Sequence, residues 1–276
     1  MSMAHGDIIA STVLHIPHAS RAIPPAVRPT LLLDDAELDA ELRRMTDAWT
    51  DELFAPVAPE IRRVVHPVSR LVVDPERFRD DAAEQMAARG MGAVYTRTAD
   101  GRPLREALEP AARARLMADW YDPHHHRLGR AVEEALAAHG HCLVIDCHSF
   151  PSIPLPCDLD QARPRPAVCI GTDEFHTPPE LVSTAVEFCE ARGLEVGVDR
   201  PYAGALVPED WNRRDRRVRS IMVEINRSLY MDERTGERLG AFTGVAGMVP
   251  EMLIVLIRSS LRTPVTGAQA TVTPSR

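Results

Sequence analysis

Residues Cys142 to Ile145 form a short apolar run that stops abruptly in Asp146, His148 and Ser149. A run of this kind, bounded and too short for a helix, predicts a strand buried on both faces. Such strands belong to open sheets covered by helices, and they deliver functional side chains at their carboxyl ends. A histidine one residue past a cysteine and two past an aspartate is well placed there to hold a metal or move a proton. A core histidine at a strand end is the plainer reading. It weakens because other apolar runs end in similar chemistry.

Ile8 to Leu14 predicts the first strand. Pro17 cannot continue a central ladder, so this strand stops near His15 and leaves His18 in the next loop. Ile61–Val65 and Leu71–Val73 are short β-rich runs, with Ser69, Arg70, Asp74 and Arg77 around the second. Those charges either pair as an ion network or face an anion site. Ala167–Ile170 predicts another strand, Leu194–Val198 an outer one, and Ile221–Ile225 one that carries Glu224. An acid inside an apolar strand is costly unless paired. Glu224 therefore either meets a neighbouring arginine or does chemistry.

Helical patterns lie between these runs. Asp34–Ala55 puts Leu38, Leu42, Met45, Trp49 and Leu53 on one face, with Asp47 and Asp51 together on a neighbouring one. The alternative is a fresh helix opened at Thr46-Asp47 with Asp47 as its cap. Pro103–Ala118 predicts a helix broken at Tyr121-Asp122-Pro123, and His124–His139, Pro178–Arg192 and Val249–Leu261 predict three more. Consecutive helical residues face different ways, so at most one or two of His124, His125 and His126 enter a site. Asp80–Gly101 reads as a long excursion of the kind that forms functional lids. Pro151–Pro166 carries five prolines and predicts an irregular loop over the active face. The alternation argues an α/β fold with a mostly parallel sheet and helices on both faces. One domain over residues 8–262 is expected, with a disordered tail at 263–276.

The formal charge of −8 does not favour nucleic acid as a partner. The chain has no lysine, and arginine is the better grip on a carboxylate. Five cysteines, at 142, 147, 157, 169 and 189, include no CxxC pair, which argues against a disulfide framework or a zinc knuckle. The N-terminus lacks a signal-peptide pattern. No apolar stretch approaches the roughly 20 residues of a membrane span. A cytoplasmic location without a membrane partner is the expectation.

Strand ends converging on one rim would gather His18, Ser69, Arg70, His148 and Glu224, with Asp47 nearby. Two histidines, one carboxylate and an open position make a catalytic zinc set. A carboxylate that is not a ligand can act as base toward water. Arginines would polarise a carbonyl or hold a substrate carboxylate. The constellation predicts metal-assisted hydrolysis of an amide or ester in a small anionic substrate. Iron, manganese and nickel suit the same donors. A non-catalytic carboxylate-binding protein is the rival from another class.

The chain carries, in order, His-x-Pro-His-Ala-Ser at 15–20, Thr-Asp-x-x-Thr-Asp at 46–51 and Ser-Arg-Leu-Val-Val-Asp-Pro-x-Arg at 69–77. Pro-His-His at 123–125, Ile-Asp-Cys-His-Ser at 145–149 and Val-Glu-Ile-Asn-Arg-Ser-Leu-Tyr at 223–230 follow. As an ordered set these segments resemble the N-formylglutamate amidohydrolase family. The resemblance implies a mixed, doubly covered sheet, zinc carboxypeptidase-like (phosphorylase/hydrolase-like), with one Zn2+ per chain. The ligands it implies are His18, His148 and Asp47, the last preferred to Asp51. Glu224 takes the place of the general base. Ser69, His125, Ser149 and Arg227 match motif residues expected around substrate, and Tyr202 is expected there too. Arg70 is expected at the scissile carbonyl. Arg77, freed to turn back by Pro75, is expected at a substrate carboxylate, the alternative being an ion pair with Asp74. The implied reaction converts N-formyl-L-glutamate to glutamate and formate, late in histidine breakdown. Another N-acyl amino acid or a cell-wall peptide is the near alternative. Two departures fall near substrate. Glu76 stands where the family usually has Asn, and Tyr202-Ala203-Gly204-Ala205 where it often has paired glycines.

Overall fold

The structure, a computed structural model, describes residues 10–262. The expected strand residues Ile8 and Ile9 and the tail at 263–276 lie outside the described residues. Six strands form one sheet: β1 (Thr12–Ile16), β2 (Arg62–Val65), β3 (Cys142–Phe150), β4 (Val168–Gly171), β5 (Val196–Val198) and β6 (Val218–Asn226). Their order across the sheet is β2-β1-β3-β6-β4-β5. The first four in that order run parallel, and β4 turns antiparallel against β6. The sheet is therefore mixed and mostly parallel.

Side chains alternate between faces along a strand, so parity decides what each residue meets. Leu14, Leu143, Ile145, Ile221 and Val223 lie on one face. They pack against α2 (Thr50–Leu53), α5 (Pro179–Glu190) and α6 (Phe242–Arg262) through Leu53, Leu181, Phe188, Leu253 and Leu256. The opposite face presents Val13, Cys142, Val144 and Val218 to Leu128, Val132 and Ala135 of α4 (Asp122–His139). Each fully buried aliphatic side chain contributes roughly 1.5–3 kcal/mol relative to exposure. Further along the strands the residues of this second parity are His15, Asp146, His148 and Glu224. One face thus changes from core to chemistry partway up the sheet, near the N-terminal end of α4.

Local signals explain most helix ends. A reciprocal capping box opens α1 (Asp35–Met45): Glu37 N donates to Asp34 Oδ1 at 2.8 Å and Asp34 N to Glu37 Oε2 at 3.1 Å. Gly140, at φ +75°, closes α4 before β3. The single helix expected over Asp34–Ala55 is two helices. Asp47 N donates to His18 O at 3.0 Å, and Trp49 adopts a left-handed φ of 68°. A tertiary contact thus interrupts an otherwise continuous helical pattern.

Other expectations are corrected. Helix α3 (Pro110–Leu116) starts later than Pro103, and a five-residue π turn over Met117–Tyr121 joins it to α4 without a break at Pro123. Leu71–Val73 is a buried turn, with Val72 N on Ser69 O at 2.8 Å, because its apolarity reports burial and not a strand. Strands β3 and β6 run on past the predicted Ile145 and Ile225, so His148 lies within its strand. Helix α6 begins at Phe242 and not Val249; at 21 residues it is long and apolar enough, by length and composition, to cross a membrane. One side of it nevertheless packs Val249, Met252, Leu253, Leu256 and Ile257 into the core.

Gly171, at the end of β4, lies where a methyl group would collide with the Gly204 carbonyl and the Met222 side chain. Gly171→Ala is expected to lower unfolding free energy by about 1–3 kcal/mol in denaturant titration, the usual cost of overpacking. Unchanged stability would contradict the close approach of β4 to the loop that carries Tyr202.

Candidate active site

His18 follows β1, Asp47 lies between α1 and α2, and His148 lies in β3. Their side chains offer three ligand atoms within 4.8 Å of one another, and all three residues are buried. Asp47 Oδ2 is 3.1 Å from His148 Nδ1 and 3.6 Å from His18 Nδ1. Behind each imidazole stands another carboxylate. Asp74 Oδ1 is 2.9 Å from His18 Nε2, and Asp146 Oδ1 is 2.9 Å from His148 Nε2. Such backing fixes ring orientation and tautomer in metal sites. His18 Nδ1 is buried without a hydrogen-bond partner. The donor types, their convergence and this unused nitrogen fit a divalent cation.

The surrounding bonds keep the acids ionised. Burial alone pushes the Asp47 pKa up, but His148, His18 and Arg227 outweigh it and hold the carboxyl well below its ordinary value. Arg227 Nη2 donates to Asp47 Oδ1 at 2.8 Å, and Ser149 N donates to Oδ2 at 3.3 Å. Burial likewise opposes ionisation of Asp74, and Arg70 and His18 reverse it. Arg70 donates to Asp74 Oδ2 from Nη2 at 2.7 Å and Nε at 3.1 Å, and Tyr95 OH donates to the same oxygen at 2.5 Å.

Glu224 has the opposite environment. It pairs in register with His148 across β3 and β6. Among the described residues its carboxyl accepts no hydrogen bond and forms no ion pair. Burial lifts its pKa to about 8, only partly offset by His148. The ion pair with a neighbouring arginine, the plain alternative from sequence, is absent among the described residues.

A cleft of about 450 Å³ opens over this cluster. His18, Asp47, His148, Glu224, Arg70, Arg77, Ser149, Tyr202 and Arg227 all line it. Asp51 is exposed, away from the histidines. Arg77 Nε is buried without a hydrogen-bond partner. It stands 3.7 Å from Asp74 Oδ2, so Asp74 belongs first to Arg70. The 80–101 excursion forms a packed wall, lending Glu84, Gln85, Met86 and Met91 to the cleft. The proline-rich loop lends Pro151, Leu155 and Cys157.

Three expected substrate contacts have other partners. Ser69 Oγ accepts from Leu71 N at 3.1 Å and does not line the cleft. His125 also lies off the cleft, 2.9 Å from Pro75 O and with its ring tilted by 35° against that of Tyr121. Arg227 lines the cleft, but its N–H groups go to Asp47, Ser149 and the Arg44 carbonyl. It holds a ligand-type carboxylate and the loop beside it.

A further layer escaped sequence reading. His15 Nδ1 is 2.8 Å from Asp146 Oδ1 and 3.1 Å from Glu76 Oε1, and its Nε2 is 2.8 Å from His124 Nε2. Burial disfavours charge on His15, but Asp146 and Glu76 raise its pKa to about 9. His124 is the member of the histidine triplet that enters the cluster, while His126 is exposed. His15, Glu76 and Asp146 make a second group with ligand atoms within 4.8 Å of one another. His15, His124 and Asp146 fall within the motif segments at 15–20, 123–125 and 145–149, but motif membership does not say that their side chains meet.

Comparison with known proteins fits this geometry. Residues 10–231 match the N-formylglutamate amidohydrolase family. An N-formylglutamate deformylase of Pseudomonas aeruginosa is 28% identical over 232 residues, covering 80% of this chain and 82% of that protein. The fold is shared with a crystal structure of N-formylglutamate amidohydrolase from Ralstonia eutropha, at TM-score 0.77 and 22% identity, covering 91% of this chain and 93% of that one. A gene product from Agrobacterium tumefaciens aligns at TM-score 0.63 and 21% identity, over 91% and 92% of the two chains. The chain described here belongs to the N-formylglutamate amidohydrolase family.

Proposed function

We propose that the chain is a divalent-metal-dependent amidohydrolase, with zinc the best-suited ion, that hydrolyses N-formyl-L-glutamate to glutamate and formate. The observation that carries this reading is the convergence of His18, Asp47 and His148, each imidazole backed by a buried carboxylate, beside the unpaired Glu224. The substrate comes from the family and from the activity in the relative's name. A cation held by His18, Asp47 and His148 would supply Lewis-acid polarisation and make nearby water more acidic.

The protein's own groups do the rest. Glu224 takes a proton from the water that adds to the formyl carbon. Arg70, whose hydrogen bonds run through Nε and Nη2, keeps Nη1 for the oxygen on which negative charge develops. The proton then passes from Glu224 to the amide nitrogen as the C–N bond breaks, releasing formate and the free amine. A carboxyl with a raised pKa suits both directions of that transfer. Arg77 binds a substrate carboxylate through the N–H left unpaired. Arg227 keeps Asp47 in place, so its role is positioning.

Purified protein is expected to carry about one divalent ion per chain. Asp74→Asn and Asp146→Asn should each weaken metal affinity by roughly 10- to 100-fold, read by competition with a chelator. Unaltered affinity in both would contradict the backing role. A panel of N-formyl, N-acetyl and peptide substrates tests the substrate class, and a preference for cell-wall peptides would overturn it.

Glu224→Gln should remove most turnover while metal is retained; a binding protein would keep its function. The same variant has a stability signature. Folded Glu224 keeps its proton to about pH 8, whereas an ordinary glutamate releases it near 4.5. The folded state therefore holds the extra proton between those values, and the stability it contributes falls as pH rises through that window. Metal-free Glu224→Gln should be more stable than wild type above pH 8, with the gap closing toward pH 4.5. A gap independent of pH would show that Glu224 is not buried as an acid.

Loss of Arg70 should lower kcat by roughly 10²–10³, the usual cost of removing an oxyanion donor. Loss of Arg77 should raise KM more than it lowers kcat. If Arg77→Ala lowers thermal stability and leaves KM unchanged, Arg77 is a structural partner of Asp74.

A further inference from the structure

The cleft contains more charge than the reaction needs, and the accounting of its partners is uneven. Its acids away from the histidines are satisfied from within. Glu84 accepts from Phe78 N at 3.1 Å and Met86 N at 2.9 Å. Asp158 accepts from Arg165 Nη2 at 2.7 Å and Leu155 N at 2.8 Å. Asp199 accepts from Thr172 N at 2.8 Å and its hydroxyl at 2.6 Å. Of the four arginines that line the cleft, Arg227 is committed to protein and Arg70 to Asp74. Arg77 and Arg44 remain under-used.

Arg44 contacts carboxylates only at long range and only through Nη1, at 3.4 Å from Glu41 and 3.6 Å from Asp100. Its side chain is 43% exposed. Its carbonyl, by contrast, is fixed, accepting from Arg227 Nη1 at 2.6 Å. Arg227 also holds Asp47, so one guanidinium ties the backbone of Arg44 to the reacting end of the cleft. A cation in the last turn of α1 is favourable for the helix alone. That accounts for a charge at this position, but not for its tether to Asp47 or its loosely paired head in the cleft.

We propose that Arg44 recognises the distal carboxylate of a diacid substrate, while Arg77 takes the carboxylate nearer the scissile amide. The inference rests on the amidohydrolase reading above and assigns the residue that selects an N-acyl amino diacid over its uncharged analogue. A guanidinium meets a carboxylate through two parallel hydrogen bonds, and an uncharged amide cannot replace that pairing.

The test compares N-formyl-L-glutamate with N-formyl-L-glutamine, which differ only at the distal group, in wild type, Arg44→Ala and Arg44→Lys. Wild type should prefer the diacid. Arg44→Ala should lower kcat/KM for the glutamate substrate by a factor roughly 10–100 greater than for the glutamine substrate, the range of a charge-assisted hydrogen bond. Arg44→Lys should fall between. Equal losses on both substrates, no loss on either, or a wild type without preference would overturn the assignment and leave the amidohydrolase reading standing. If wild type cleaves neither substrate, that reading fails, and binding of glutarate against butyrate by calorimetry decides the point for Arg44. A diacid preference lost in Arg44→Ala supports the assignment; one retained overturns it.

Discussion

Asp47, Asp74 and Asp146 are carboxylates removed from water, and burying an unpaired charge costs several kcal/mol even after relaxation. The rim of the sheet is built around that cost. Asp47 is held by Arg227, Asp74 by Arg70 and Tyr95, and Asp146 by His15. Asp47 and Asp74 then turn their other oxygen toward His148 and His18, and Asp146 shares Oδ1 between His15 and His148. The imidazoles are thereby oriented by groups whose own positions are over-determined. Glu224 is the exception: among the described residues its carboxyl has no hydrogen bond or ion pair, burial outweighs the nearby His148 and Arg227, and its pKa rises. In the proposed reaction the ionised acids orient the imidazoles and the reluctant one moves protons, and Glu224 stands in register with His148, one of the imidazoles so oriented.

The geometry follows from where the sheet's cover stops. Helix α4 shields one face only over the first residues of β1, β3 and β6, where Val13, Val144 and Val218 lie. Beyond it the same parity gives His15, Asp146, His148 and Glu224. Asp47 reaches this face because its amide hydrogen-bonds the His18 carbonyl and ends a helix early. Fold and site are linked through that one interruption. It would be expected to cost helical propensity that tertiary contacts then replace.

The elements most legible in the sequence are those whose apolar residues run unbroken. Cys142–Ile145 and Ile221–Ile225 located the central strands, because burial on both faces leaves a continuous signal. Their true ends were hidden, since Asp146, His148 and Asn226 are polar for reasons of chemistry and still occupy strand geometry. His18, Asp47, His148 and Glu224 could be brought together through motif order. Motif order does not say which way a side chain turns, so the present partners of Ser69 and His125, Leu71 N and Pro75 O, are not legible in it. The split at Asp47–Trp49 was only one of two readings: Asp34–Ala55 has sound helical periodicity, and the competing hydrogen bond comes from a residue far away in sequence. Arg44 looked like any arginine on a helix. Only its tether to Arg227 and its place in the cleft distinguish it.

The central claim is that His18, Asp47 and His148, and not the neighbouring His15–Glu76–Asp146 group, hold the catalytic cation. Anomalous diffraction from crystals of the metal-loaded protein, recorded at the metal's absorption edge, tests it most directly. The account predicts one strong peak contacted by the two imidazole Nδ1 atoms and the Asp47 carboxylate, with Asp74 and Asp146 behind the rings. A peak on His15, Glu76 and Asp146, or none within the cleft at full activity, would contradict it.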